Sequence, residues 1–127
     1  MPIYGFLPAT DERMRATIEA IARDLTEDGL VLRYRAQEGL NADGLSGEEG
    51  TFAVCTFWLV SALAKAGEVE RAEALFEQLV GHANDLGLLG EEIDTATGEQ
   101  LGNFPQAYSH IGLITAANEI DRARGLA

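Results

Sequence analysis

Residues 88–114, LLGEEIDTATGEQLGNFPQAYSHIGLI, carry most of what this sequence discloses. The stretch opens as a glycine-rich loop that puts Glu91, Glu92 and Asp94 close together. It then runs into a helix predicted over 104–123. Pro105 falls in the first turn, where a missing N–H costs nothing. Ala107, Tyr108, Ile111, Leu113, Ile114, Ala117 and Ile120 give that helix a broad apolar face, with Tyr108, Ser109 and His110 at its loop end. Carboxylates carried on a loop at the mouth of a helical scaffold suit general acid–base chemistry on a sugar. The plain alternative is a solvated acidic loop, since exposed glutamate is the norm.

Outward from that stretch, three more helices are predicted. Over 11–26, Met14, Ile18, Ile21, Ala22 and Leu25 recur at spacings that make one stripe, with Thr10 as expected N-cap and Asp11 and Glu12 at the positive helix end. The helix over 51–66, TFAVCTFWLVSALAKA, is apolar nearly all round and should be covered on both sides, with Gly67 stopping it. Over 68–84, Val69, Ala72, Leu75, Phe76, Leu79, Val80 and Ala83 form a single stripe opposite a face rich in glutamate. The second and third helices follow each other so closely that they must be antiparallel neighbours. The loops over 27–50 and 87–103 are long, and antiparallel packing puts both at one end of the bundle. The expected class is therefore all-α, built of antiparallel hairpins in a single domain over 1–127.

Composition narrows the function further. Nine basic residues stand against 21 acidic ones, a net charge of −12. No basic patch exists to release counterions from a phosphate backbone, so nucleic acid is not an expected partner. The apolar run at 52–64 is too short to span a bilayer. The start, MPIYGFLPATDERMRAT, lacks a basic region followed by an apolar core, so no signal peptide is expected and the expected location is cytoplasmic. The single cysteine, Cys55, sits in an apolar run and reads as a small core residue. His82 and His110 lack any paired-ligand spacing, and the loop from Asp94 to Glu99 lacks the calcium-loop pattern, so neither metal nor cofactor is expected.

The 88–114 stretch, together with EEGTFAVCTFWLV at 48–60, resembles the glucoamylase/trehalase family of inverting glycoside hydrolases, family 15. The segment 3–34 also looks like what precedes these motifs in bacterial members. The resemblance implies the C-terminal part of a catalytic domain, roughly a third of it, and a fold that is a sector of an (α/α)6 toroid. It implies hydrolysis of α-glucosidic bonds, as in maltose, α-glucans or trehalose, with Glu91 as general base and Glu92 as the residue one register step away. Inversion also needs a protonated carboxyl roughly 6.5–9.5 Å off. By the resemblance, that acid lies upstream of the region matched here, so the chain is expected to hold one half of the pair.

Four further residues are candidates for contact with substrate. Glu49 belongs by resemblance to the substrate-facing rim; its alternative is a carboxylate that favours a helix N-terminus. Phe104 and Tyr108 sit at the loop end of the fourth helix, where an aromatic face can meet a sugar ring. His110 shares their motif, and its alternative is a core histidine bonded to backbone. Trp58 reads as core. A sector of a toroid would expose the apolar faces of its second and fourth helices, which soluble monomers rarely tolerate, so a homodimer is expected, with repacking into a four-helix bundle as the other outcome. A non-enzymatic module, binding sugar or protein, is the competing functional reading.

Overall fold

The computed structural model describes residues 2–35 and 49–126. Four helices dominate: α1 (Glu12–Asp24), α2 (Ala53–Lys65), α3 (Val69–Val80) and α4 (Ala107–Arg124). A 3-10 turn at Pro2–Tyr4 precedes them. The fold is mostly helical but not purely so, which corrects the all-α expectation. A hairpin of β1 (Thr26–Glu27) and β2 (Leu30–Val31) follows α1, and β3 (Thr51–Phe52), β4 (Glu92–Ile93) and β5 (Gln100–Leu101) form an antiparallel sheet in the order β3–β4–β5. β2, β4 and β5 lie within the two stretches read as loops, β1 straddles the end of the first expected helix, and β3 takes the first two residues of the helix expected over 51–66. Each is two residues long, too short for a period-2 pattern to show.

The β1–β2 turn has Asp28 at φ 48° and Gly29 at φ 82°, the positive pair that a tight two-residue hairpin needs. Thr26 faces Val31 and Glu27 faces Leu30. In the second sheet, Thr51 faces Ile93 and Phe52 faces Glu92, while Glu92 also faces Leu101. The described end of the first long connection, at Gly50, therefore meets the second at Glu92.

Helix ends follow local chemistry. Asp11, not Thr10, caps α1: its carboxylate accepts from the Arg13 N–H at 3.0 Å. The helix α2 has no side-chain cap; the Ala53 N–H instead donates to the Glu91 carbonyl at 3.0 Å. After Ala66, Gly67 turns at φ 87° and starts the short link to α3. The helix α4 begins at Ala107, beyond Pro105 rather than around it, and the Phe104–Pro105 peptide is cis.

The core is centred on α2. Ten of its residues are buried, among them Phe57, Val60 and Leu63, and α1, α3 and α4 cover it. The expected exposed apolar face on α2 is thus absent. From α3, Ala72 and Leu79 are buried, and Leu75, Phe76 and Val80 pack partly against the core. The Phe57 and Phe76 rings lie 5.9 Å apart, tilted.

The helix α4 meets α2 through a face the sequence reading did not choose. Ser109, Gly112, Ala116 and Ile120 are buried, whereas Ala107, Tyr108, Ile111 and Ile114 are exposed. Size explains the difference. A Cβ on Gly112 would stand 3.1 Å from the Phe57 Cβ, so the bulk of Phe57 demands a small residue opposite. Shape complementarity thus outweighs hydrophobicity in setting the rotation of this helix. A half-buried ion pair, Lys65 to Glu119 at 2.9 Å, ties the same two helices.

Because Phe57 is fully buried and touches both α3 and α4, truncation should be severe. Phe57→Ala is expected to lower the unfolding free energy by about 3–5 kcal/mol, read as a fall in the urea midpoint by circular dichroism. A loss under about 1 kcal/mol would mean that the α2–α4 contact is looser than described.

Candidate active site

Glu91 sits at the head of β4, with its backbone held on both sides. Its N–H donates to the Asn103 carbonyl at 3.0 Å and its carbonyl accepts from Ala53 at 3.0 Å. The Glu91 side chain is held as well. Its Oε2 accepts from the Asn103 N–H at 3.1 Å and from Asn103 Nδ2 at 2.9 Å. Among the described residues Oε1 takes no hydrogen bond. The half-buried carboxylate thus has one anchored oxygen and one unengaged oxygen.

Glu92, next along the strand, does different work. Its Oε2 accepts from the Gly50 N–H at 2.9 Å, which joins the approach to β3 to β4. The backbones there are close: a Cβ on Gly50 would lie 2.7 Å from the Ile93 carbonyl oxygen. Burial pushes the Glu92 carboxyl above the usual glutamate range. The Gly50 hydrogen bond opposes that shift, the neighbouring Glu49 and Glu91 charges reinforce it, and Arg33 opposes it.

Glu49 stands near Glu92 and is occupied. Its Oε1 pairs with the Arg33 guanidinium and accepts from the Tyr34 hydroxyl at 3.2 Å. The guanidinium also lies over the Tyr34 and Phe52 rings, at 5.0 and 4.9 Å. Three glutamates therefore gather at the sheet end of the bundle, with one arginine among them. Glu48 lies outside the described residues.

Phe104 and Tyr108 are about half exposed, at 49% and 51%, on the loop end of α4. Tyr108 meets the half-buried Trp58 edge-on at 6.0 Å. His110 is turned inward. Its Nδ1 is 2.8 Å from the Gln106 carbonyl and its Nε2 accepts weakly from the Leu89 N–H at 3.4 Å. Those partners require the tautomer with the proton on Nδ1 and make the ring a brace for the loop. Ser109 braces it too, donating to the Gly90 carbonyl at 2.8 Å. His82 is half-buried just beyond α3.

The 94–99 turn is closed on itself. Asp94 accepts from the Ala96 N–H and the Thr97 hydroxyl, each at 2.8 Å, and the Thr97 bond holds its carboxyl below the ordinary range. Among the described residues, no group of three His, Cys, Asp or Glu side chains could hold a metal ion. An apolar cleft of about 200 Å³ between α1 and α2 is lined by Ile18, Leu25, Val31, Cys55 and Leu59, with no carboxylate among the described residues of its wall. Burial pushes the Cys55 thiol up, as suits a packing residue.

Three residues of this arrangement escaped the sequence reading. Asn103 carries no signal in the linear sequence beyond standing directly before Phe104-Pro105. Arg33 and Tyr34, at the exit of the β1–β2 hairpin, carry none either. The Asp28-Gly29 pair was the local signal that would have folded that hairpin and brought Arg33 to Glu49.

A mostly helical scaffold gathers glutamates where a short sheet meets the core helix, an arrangement that suits acid–base chemistry on a glycoside. The chain belongs to the glycosyl hydrolases family 15, whose model matches residues 1–118. It is 58% identical over 118 residues to a trehalase of Mycolicibacterium smegmatis, covering 93% of this chain and 17% of that protein. It is 43% identical over 123 residues to a trehalase of Thermoplasma acidophilum, covering 97% of this chain and 20% of that protein. Trehalase 2 of Sulfolobus acidocaldarius is 35% identical over 125 residues, covering 98% of this chain and 21% of that protein. The chain thus spans about a fifth of the length of the curated relatives it matches. No solved structure matches it. Among the described residues, no helix is long and apolar enough to cross a membrane.

The raised carboxyl of Glu92 has a signed consequence. The fold binds the proton more tightly than the unfolded chain does, so this stabilisation is present below the ordinary glutamate range and is lost as pH rises through the folded value. Glu92→Gln keeps an acceptor for Gly50 and removes the charge. The variant should melt slightly above the parent at pH 7, with the gap closing below about pH 4. Melting curves across that range check it, and a gap that widens in acid would reverse the sign.

Proposed function

We propose that this chain carries the general-base half of an inverting α-glucoside hydrolase site of trehalase type, as the C-terminal sector of an (α/α)6 toroid. Glu91 is the base. The observation that supports this most is the asymmetry of its carboxylate: Oε2 is anchored by Asn103 and Oε1 is unengaged among the described residues. An oriented oxygen of that kind can take a proton from water. As it does, the water oxygen bonds to the anomeric carbon and the bond to the leaving glucose breaks. The leaving oxygen takes its proton from a second carboxyl. Glu49 is already engaged by Arg33 and Tyr34. It reads instead as a rim carboxylate, with Phe104 and Tyr108 as an exposed aromatic surface at the loop end of α4. The names of the relatives favour trehalose over maltose and longer glucans as substrate.

The test is glucose release from trehalose, maltose and a soluble α-glucan by a hybrid in which residues 1–118 replace the matching segment of the Mycolicibacterium smegmatis trehalase, so that the rest of that protein supplies the second carboxyl. Trehalose should be cleaved fastest. Inversion should deliver one β-glucose and one α-glucose from each trehalose, visible in the first proton spectra. Glu91→Gln should lower kcat by at least about 100-fold. If neither trehalose nor maltose is cleaved, or if Glu91→Gln matches the parent, the reading fails.

We also propose that the outer face of α4 is covered by a second copy. Tyr108, Ile111 and Ile114 are 51–59% exposed there, and residues 104–118 contain no Asp, Glu, Lys or Arg, although the chain as a whole carries −12. Association through an uncharged apolar face between two acidic chains should tighten as salt screens their repulsion. Sedimentation equilibrium should show a dimer that strengthens from 50 to 500 mM NaCl and is lost in Ile111→Glu. A monomer at every salt concentration would refute the dimer.

A further inference from the structure

We infer that Asn103 is a positioning residue for Glu91, fixing which carboxylate oxygen is free to act; this rests on the reading of Glu91 as base. Three hydrogen bonds lock the two residues together: Glu91 N–H to the Asn103 carbonyl at 3.0 Å, Asn103 N–H to Oε2 at 3.1 Å, and Asn103 Nδ2 to Oε2 at 2.9 Å. Both side-chain contacts converge on the same oxygen. A carboxylate in solution rotates freely and offers either oxygen; here rotation would break two bonds, so Oε1 keeps its direction.

The adjoining backbone is shaped to the same end. Gly102 has φ 72°, and a Cβ there would stand 2.8 Å from Oε2 and 3.0 Å from the Glu91 Cβ. Only glycine lets the chain pass beneath the carboxylate and still deliver the Asn103 N–H to it. The amide orientation of Asn103 follows from its partner, since turning the carbonyl toward Oε2 would set two acceptors face to face. Asn103 therefore acts through Glu91. What it supplies is a held geometry, and loss of such a geometry costs about 100-fold where a reacting atom drifts by an ångström.

The test compares Asn103→Ala and Asn103→Asp with the unaltered sequence in trehalose hydrolysis, each carried in the hybrid with the Mycolicibacterium smegmatis trehalase. Asn103→Ala keeps the backbone donor and removes the side-chain donor. Its kcat should fall between about 10- and 100-fold with KM within about twofold, because the held oxygen matters to the water and not to sugar binding. Asn103→Asp puts an acceptor against Oε2 at neutral pH and a donor only when protonated. It should therefore lose activity at pH 7 and recover relative to Asn103→Ala toward about pH 4. A purely structural role would produce neither the split between kcat and KM nor the acid recovery, and melting curves confirm that both variants are folded. An unchanged kcat in Asn103→Ala, beside an active parent, overturns the inference alone. A folded hybrid with Asn103 intact that does not hydrolyse trehalose overturns the base reading and this inference with it.

Discussion

The hydrogen bond from Ala53 to the Glu91 carbonyl is the contact on which the rest of the molecule turns. The first N–H groups of a helix have no partner within it, and α2 has no side chain at its start to serve them. The strand that carries the site supplies that partner. The most buried helix of the chain and its candidate base are therefore joined through backbone, without an intervening side chain. Thr51 and Thr56 extend the junction. The Thr51 hydroxyl donates to the Ile93 carbonyl at 3.0 Å, and the buried Thr56 hydroxyl accepts from the Val31 N–H at 2.9 Å. Both hydroxyls lie in otherwise apolar surroundings, where an unpaired polar group would cost about 1–3 kcal/mol. Their pairing ties both short sheets to the start of one helix.

The second constraint is steric. Phe57 fixes how closely α4 approaches α2, and α4 answers with Ser109, Gly112 and Ala116. Ser109 reaches from that packed face to the Gly90 carbonyl, one residue before Glu91. The same contact that fills the core thus also sets the height of the acidic loop above it. Packing and site geometry share residues here, which is why the loop is held from below by α4 and from the side by α2.

Helices were legible in this sequence and short strands were not. The three- and four-residue spacing of Met14, Ile18, Ala72 and Leu79 placed α1 and α3 within a few residues, and the all-round apolarity of 52–64 announced a buried helix. Hydrophobic count misjudged α4, because its packed face is chosen for small volume and includes a serine and a glycine. The three-stranded sheet left no periodic trace. Its register depends on Thr51 meeting Ile93 across a separation of 42 residues, beside a short hairpin that pairs Ile93 with Gln100. Glu91 stood out through the motif around it, whereas Asn103 did not. Its importance lies in two donors that converge only after the chain has turned at Gly102. Likewise, nothing in the linear sequence links Arg33 to Glu49 until the hairpin at Asp28-Gly29 closes.

The two-residue length of every strand carries a consequence of another kind. A sheet edge recruits foreign strands in proportion to the row of open N–H and C=O groups it presents, and proteins commonly guard such edges with charge, proline or bulges. At β1, β3 and β5 that row ends almost as soon as it begins. Among the described residues, strands are thus placed at the site without offering a template for cross-β growth. The broader sticky surface there belongs to the side chains of a helix, where a single charged substitution can blunt it.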